Sequence, residues 1–229
     1  MKENRNLLYK GIGLLAAFFV VLACIFMPLW GNNENTLNYL DNLFNSISKG
    51  SAYYIPDIIK QNNSFMNHPV QLEITMKSEK QAEQTIKLLT ESGATVQQSG
   101  LVLNISGDLG KIVSICLKDA DEMFHNKGDG ISGKYGYAEQ LALFNWWTAL
   151  DRMDYMLTKA KNFDDANFLK TVKQKALEPA YNYYKIDAQN VSDKIGVVLF
   201  SLIFYVIYTL WFGFSIMFLF EGSGMRLGH

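Results

Sequence analysis

Residues that carry catalysis, metal binding or covalent cross-links are scarce in this sequence. Its 229 residues include two cysteines, three histidines and four prolines. Cys24 lies in an apolar run and Cys116 in a mixed segment, so we expect no disulfide between them. His68 and His125 have no cysteine or second histidine nearby at the spacing of a metal site. We therefore expect no metal, no cofactor and no enzymatic activity.

An excess of basic residues is also missing. Lysine and arginine number 21 against 22 aspartates and glutamates, which gives a net charge of −1. A protein that binds DNA or RNA needs a basic surface to neutralise phosphates, so we expect no nucleic-acid partner. Charged residues make up 19% of the chain, below the roughly 25% of soluble proteins, and two long stretches contain none.

These two uncharged stretches lie towards the two ends of the chain. The first covers residues 11–30 and the second covers residues 195–220. A helix rises about 1.5 Å per residue, so each stretch can cross a hydrocarbon layer about 30 Å thick. Trp30 would then lie at the membrane interface, where tryptophan is common. The sequence predicts two transmembrane helices and a lipid bilayer as a partner.

The first apolar stretch has two alternative interpretations. A cleaved secretory signal has an apolar region of about 7–15 residues and a small-residue cleavage site, and this stretch is longer and lacks such a site. Val21–Cys24 resembles a bacterial lipobox, although the residues after Cys24 remain apolar. We favour a retained membrane anchor, and the sequence leaves open whether Cys24 is lipidated.

Flanking charges indicate the orientation in the membrane. Lys2, Arg5 and Lys10 precede the first stretch, Arg226 follows the second, and no basic residue follows Trp30 until the central domain has begun. The positive-inside rule places the tails, residues 1–10 and 221–229, in the cytoplasm. The prediction is a protein of the inner (plasma) membrane whose central domain is periplasmic or extracellular.

The predicted fold class is α+β, with the two membrane helices flanking an extracytoplasmic domain. Glycine-, asparagine- and serine-rich joints divide that domain. The predicted parts are a helical stalk at 31–67, a small α/β unit at 68–125, a linker at 126–136, a long helical hairpin at 137–186 and a linker at 187–194.

The α/β unit is the most regular part of the central sequence. Alternating apolar residues from Val70 predict a strand, and Ser78 with Gln81 forms a capping box that predicts a helix, which Gly93 ends. Ser99-Gly100 predicts a hairpin, and a further helix is predicted over residues 109–124 with Asp108 as its N-cap. The order β-α-β-β-α resembles a split ferredoxin-like unit without its final strand. Asp119, Asp121 and Glu122 suggest a solvated helix end.

Candidate partner or ligand contacts come from aromatic and small residues. Trp146 and Trp147 lie on or beside a heptad-like apolar seam, where core packing is the competing interpretation. Tyr205 and Tyr208 fall inside the second apolar stretch, where a hydroxyl needs a protein partner. Thr209 and Gly213 have the four-residue spacing that lets helices approach closely.

Two functions remain open from the sequence. The first is a non-catalytic structural or accessory subunit of a membrane assembly, bound to other membrane proteins or to itself. The alternative is an extracytoplasmic ligand-binding or sensing module that signals through a membrane partner. The layout of two terminal membrane helices around an external α/β and helical domain resembles that of polysaccharide co-polymerases of the chain-length-determinant type. Those proteins carry a proline- and glycine-rich signature around the second helix, whereas residues 195–220 contain no proline.

Overall fold

The two apolar stretches form long helices. The computed structural model describes residues 2–28 and 33–225. Helix α1 is Lys2–Phe26, and the last helix, α10, is Val191–Gly222. Both are long and apolar enough to cross a membrane, which is consistent with the predicted membrane association.

The bounds of both helices differ from the predicted spans of 11–30 and 195–220. Helix α1 starts earlier because no helix-breaking residue separates its polar first turns from the apolar run. It ends before Pro28, which has no N–H to donate and disfavours a helical conformation at the residue before it. Helix α10 starts at Val191, so part of the predicted linker 187–194 is helical. The predicted positions of Trp30 and Arg226 lie outside the described residues.

The chain divides into two compact units. One contains Met1–Ile47 and Gln189–His229, and the other is the continuous segment Ser48–Ala188, called here the central unit. Helix α2, Thr36–Ser51, begins in the first and ends in the second.

Within the first unit, the N-terminal part of α1 packs closely against the C-terminal part of α10. A Cβ atom added to Gly11 would lie 2.8 Å from the backbone nitrogen of Leu219. A Cβ atom added to Gly222 would meet the backbone of Leu8. Higher residue numbers on α1 contact lower residue numbers on α10, so the two helices are antiparallel. Glycine permits this approach because it has no side chain.

The central unit contains a three-stranded antiparallel sheet in the order β1-β3-β2. The strands are β1, Pro69–Thr75, β2, Thr95–Ser99, and β3, Val102–Asp108. The pairing of β1 with β3 runs from Pro69 opposite Asp108 to Thr75 opposite Val102. Alternate side chains of the two strands, including Ile74 and Leu103, are buried in the core.

Two of the helices that pack next to this sheet begin at the N-caps that the sequence predicts. Helix α4, Glu79–Glu91, starts after Ser78, whose hydroxyl accepts a hydrogen bond from the Gln81 N–H at 3.2 Å. Gly93 follows that helix with a φ of +81°. Helix α5, Leu109–Phe124, has the predicted bounds, and the Asp108 carboxylate accepts from the Lys111 N–H at 2.8 Å.

The prediction of a linker at 126–136 is wrong, because most of this segment forms a helix, α6, at Gly128–Tyr135. Its composition suggests a loop, but the side chains of Ile131 and Tyr135 are buried in the core. This burial stabilises a helix that its intrinsic propensity does not favour. Gly136 ends it with a φ of +74°, a conformation that glycine adopts readily.

The last part of the central unit is helical, as predicted, but interrupted. Helix α7 is Glu139–Lys159 and helix α8 is Phe163–Val172. A π-helical segment, Lys173–Leu177, leads into a short helix α9, Glu178–Asn182. Proline in a helix clashes with the carbonyl four residues earlier, and a wider π-helical turn before Pro179 relieves that clash.

One hydrophobic core joins the parts that the sequence analysis separates. It extends from helix α3, Ile55–Asn62, through the sheet to Tyr184. Ile55 and Ile58 are each 1% exposed, so α3 belongs to this core and not to the predicted stalk at 31–67. The small α/β unit and the helical hairpin are likewise parts of a single core.

Candidate functional site

Trp146, a candidate partner or ligand contact for which core packing is the competing interpretation, lies inside the core and binds a buried carboxylate. Its indole Nε1 donates a hydrogen bond to Asp119 Oδ2 at 2.8 Å, and the Tyr135 hydroxyl donates to the same oxygen at 2.6 Å. Lys134 Nζ lies 3.4 Å from Asp119 Oδ1. Trp146 is fully buried and Asp119 is 1% exposed. Trp146 therefore packs in the core and presents no surface to solvent.

The buried position of Asp119 corrects the expectation of a solvated helix end. A buried carboxylate needs hydrogen-bond donors and an opposite charge, and Tyr135, Trp146 and Lys134 supply them. Burial, together with the hydrogen bond to Asp119, raises the pKa of the Tyr135 hydroxyl well above its usual range. The phenol thus remains a donor at physiological pH.

Trp147 occupies a different environment and lines a surface groove of about 330 Å³. Its Nε1 donates to Glu178 Oε1 at 3.0 Å, and Lys173 Nζ lies 5.4 Å from the centre of its ring. Phe144 and Tyr181, each 42% exposed, also line the groove. The remaining lining residues are Leu143, Leu177, Glu178 and Asn182. A mostly apolar and aromatic groove of this kind suits an apolar or aromatic group.

Ion pairs fix the position of the groove. Lys173, in the π-helical segment, donates to Asp151 Oδ1 at 2.7 Å and to Asp154 Oδ2 at 3.0 Å. Lys173 is 6% exposed, so its ammonium group is largely removed from water, and the two carboxylates balance its charge. These bonds attach the π-helical segment to α7, which carries Trp147.

The four candidate residues of α10 fall on two flanks of the helix. The Tyr208 hydroxyl donates to the Phe18 carbonyl at 3.2 Å, and the two rings stack with their centres 4.2 Å apart. Trp211 Nε1 donates to the Leu14 carbonyl at 3.0 Å. Sequence reasoning identified Tyr208 but missed Trp211 as a contact, although its position one helical turn after Tyr208 was the available signal.

Tyr205, Thr209 and Gly213 lie on the other flank, and neither Tyr205 nor Thr209 has a hydrogen bond to α1 among the described contacts. Tyr205 is 68% exposed, and no atom lies within 4 Å of a Cβ added to Gly213. The Thr209 hydroxyl donates to the carbonyl of Tyr205 at 2.7 Å, within the same helix. No acceptor within the described ranges lies in hydrogen-bonding distance of the Tyr205 hydroxyl.

Metal-binding groups do not cluster in the described part of the chain: no set of three or more candidate ligands is close enough to hold an ion. His68 Nδ1 lies 3.3 Å from Asp165 Oδ1. His125 Nδ1 lies 2.9 Å from the carbonyl of Asp121. His68 and His125 thus each have one carboxylate neighbour, and neither has the third ligand that a metal site needs among the described residues.

Comparison with protein-family models, curated proteins and solved structures finds no match to this chain. Functional inference therefore depends on the geometry of its own residues. The two features that offer unoccupied contact surface among the predicted residues are the Tyr205–Gly213 flank of α10 and the groove beside Trp147.

Proposed function

We propose that this protein is a non-catalytic accessory subunit of a membrane assembly. In this proposal α1 and α10 form a two-helix anchor, and α10 binds a helix of another membrane protein through its free flank. The observation that carries the proposal is the Tyr205 hydroxyl, which lies near the middle of a 32-residue apolar helix without an acceptor among the described residues.

The physical argument concerns hydrogen bonding in hydrocarbon. A hydroxyl group that leaves water without a new partner costs about 1–3 kcal/mol by protein mutational data. Tyr208, one turn along the same helix, finds its acceptor on α1, whereas Tyr205 is 68% exposed and has no hydrogen bond to α1 among the described contacts. A partner helix packed along Thr209 and Gly213 supplies an acceptor and fits the close approach that small residues allow.

The finer topology is part of the same proposal. The basic residues before the first apolar run support cytoplasmic termini in the inner (plasma) membrane and an extracytoplasmic central unit. The order β-α-β-β-α and the sheet order β1-β3-β2 support a split ferredoxin-like unit without its final strand. Such units occur in many binding modules, so the fold by itself does not name the partner.

Native purification tests the proposal with two matched variants. The full chain, extracted in mild detergent from its own membranes, is expected to migrate as a complex larger than the monomer. Gly213→Leu adds bulk on the free flank and is expected to release the monomer. Gly196→Leu makes the same change in the same helix, also with no atom within 4 Å of the added Cβ, and should preserve the complex.

Tyr205→Phe isolates the contribution of the hydroxyl. This variant should weaken the complex without the steric effect of an added side chain. A photo-reactive side chain at position 205 should form a covalent link to the partner in intact membranes. A monodisperse monomer from mild detergent, with no cross-link at position 205, would count decisively against an accessory subunit.

The groove beside Trp147 favours a second function, an extracytoplasmic binding or sensing module. Its aromatic lining and its volume of about 330 Å³ suit a small apolar or aromatic group. A ligand that binds only the folded state raises the midpoint temperature of the protein's thermal unfolding. We expect stabilisation of the full chain by a compound from an apolar and aromatic panel, lost in Phe144→Ala and kept in Phe163→Ala, an exposed control on α8. If no compound class stabilises the protein, the sensing function is excluded.

A further inference from the structure

Strand β1 lies at one edge of the sheet and leaves a row of backbone groups unpaired. Its ladder with β3 extends past the strand, because the Met76 N–H donates to the Leu101 carbonyl at 2.9 Å. Hydrogen-bonded residues alternate along an antiparallel strand. The N–H and C=O groups of Gln71, Glu73 and Thr75 therefore point away from β3, and no further strand lies beyond β1 in the described chain.

A groove of about 480 Å³ runs beside the second half of this edge. One wall is the segment from Glu73 to Lys77, and the other is a single face of α7. The α7 residues recur at spacings of three and four, so they form one continuous stripe. They are Arg152, Tyr155, Met156 and Lys159. The groove follows the strand direction, which is the shape that an extended segment requires.

Arg152 supplies an unsatisfied charge in this groove. Its side chain is half-buried, its Nε is buried without a hydrogen-bond partner, and it forms no ion pair with the residues described here. Lys159 has one charge interaction within the described residues, with the face of Tyr155, whose ring centre lies 5.3 Å from its Nζ. A buried guanidinium nitrogen without an acceptor is unusual in folded proteins and indicates a missing anionic group.

The geometry points to a binding site for an extended, acidic segment of a partner protein, added as a fourth strand along the free edge of β1. The partner's backbone would pair with Gln71, Glu73 and Thr75, as in other cases of strand addition. Its alternate side chains would lie over α7, where a carboxylate reaches Arg152 and an apolar residue covers Tyr155. This inference concerns the central unit alone and does not depend on the proposed contact of α10.

The charge of the groove favours such a segment over the alternatives. Lys77, Arg152 and Lys159 face one carboxylate, Glu73, so the lining carries three positive charges and one negative charge. A second copy of this chain would present β1 and the same lining again, which would double the positive excess and would not balance it. A small anion would satisfy Arg152 but would leave the backbone groups of the strand edge unpaired.

A displayed library of extended peptides, panned against the full chain in detergent, tests the inference. We expect enrichment of sequences in which aspartate or glutamate alternates with apolar residues. A synthetic peptide of the enriched sequence should bind the wild-type chain with an affinity that falls steeply as salt is raised. Arg152→Gln should weaken its binding about tenfold, and Arg152→Lys should restore part of the loss.

Two proline substitutions test the strand pairing. Thr75→Pro removes an N–H that points out of the sheet, which an edge strand tolerates, and should abolish peptide binding. Gln98→Pro makes the equivalent change on β2, whose pairing with β3 leaves Gln98 pointing outwards, and should leave binding unchanged. Arg152→Gln removes no described hydrogen bond or ion pair and keeps most of the side chain, so the test stands even if Thr75→Pro fails to fold.

Four results would overturn the inference. The first is a library that yields no acidic, alternating sequence. The second is a peptide that binds Thr75→Pro and Arg152→Gln as tightly as the wild type. The third is inorganic phosphate or succinate that binds with the same dependence on Arg152 but none on Thr75, which would identify a small-anion site. The fourth is a wild-type dimer that Thr75→Pro dissociates, which would identify a second copy as the occupant.

Discussion

Trp146 and Asp119, which are 27 residues apart in sequence, are joined by a 2.8 Å hydrogen bond in the interior of the central unit. The indole N–H and the Tyr135 hydroxyl converge on one carboxylate oxygen. A buried carboxylate is stable only with such donors, so this contact fixes α5 against α7. The neighbouring Trp147 is instead at the surface groove, although the two residues are adjacent in the sequence.

The two tryptophans should therefore respond differently to the same substitution. Trp146→Phe leaves a cavity and removes one donor from Asp119, which should lower the free energy of unfolding by about 2–4 kcal/mol. Trp147→Phe removes one bond to a half-exposed glutamate and should cost about 1 kcal/mol or less. Urea denaturation of the full chain in detergent, followed by circular dichroism, measures both. Equal losses for the two variants would refute the assignment of Trp146 to the core.

Gly11 and Gly13 provide a matched test of how α1 and α10 pack. A Cβ at Gly11 would lie 2.8 Å from a backbone nitrogen of α10, whereas a Cβ at Gly13 would meet nothing within 4 Å. Gly11→Leu should force the helices apart at a cost of about 1–3 kcal/mol, and Gly13→Leu should not. The measurement is the rate of disulfide formation between cysteines introduced as Phe18→Cys and Tyr208→Cys, in a Cys24→Ser background. Gly11→Leu should slow this reaction, whereas Gly13→Leu should not. Equal rates in both backgrounds would contradict the described packing.

Local signals in the sequence were sufficient for much of the central unit. The side chains of Ser78 and Asp108 cap α4 and α5 where expected, and Gly93 and Gly100 adopt positive φ at the predicted turns. Each of these features depends on residues within one or two turns of the chain, which a single sequence displays directly. The same is true of the two long apolar helices.

Features that depend on distant residues could not be predicted. The segment Gly128–Tyr135 has the composition of a loop and is helical because Ile131 and Tyr135 are buried by other elements. Asp119 belongs to a cluster of acidic residues that suggests an exposed position. Nothing near it in the sequence identifies its hydrogen-bond donors on α6 and α7. In both cases the tertiary environment overrides the local preference, and one sequence contains no record of that environment.

Tyr184 predicts an alkaline limit to the stability of the central unit. Burial and the hydrogen bond to Glu139 Oε1, at 2.9 Å, raise the pKa of Tyr184 to about 12. An unfolded tyrosine has a pKa of about 10, so the folded state favours the neutral phenol. This stabilisation is complete below about pH 10 and is lost as the pH rises through about 12.

Urea unfolding across that alkaline range measures the contribution of Tyr184. The free energy of unfolding of the wild type should decline above about pH 10, and Tyr184→Phe should decline less steeply because it lacks the titrating group. Tyr155→Phe serves as the control, since Tyr155 is 57% exposed and has no hydrogen bond to a carboxylate among the described contacts. Identical slopes for wild type and Tyr184→Phe would disprove this assignment.

Lys49 joins the two ends of the central unit and should be essential for their order. Its Nζ donates to the carbonyls of Tyr183, at 3.0 Å, and Ile186, at 2.6 Å, and to Asn126 Oδ1 at 3.0 Å. Lys49 is 4% exposed, so Lys49→Met would remove a charged donor from three acceptors, each of which would keep one neutral donor. We expect a loss of about 2–4 kcal/mol in the free energy of unfolding.

Hydrogen exchange can locate the effect of Lys49→Met. Amides near Tyr183 and Ile186 should exchange faster in this variant, while those of the sheet should change only by the loss in global stability. Lys170→Met, an exposed lysine on α8 without a described partner, is the control and should match the wild type. Lys49→Arg keeps the charge and should recover part of the protection, because a guanidinium can donate to some of the same carbonyls. Unchanged exchange at residues 183–186 in Lys49→Met would show that the ends of this unit are held by their apolar packing alone.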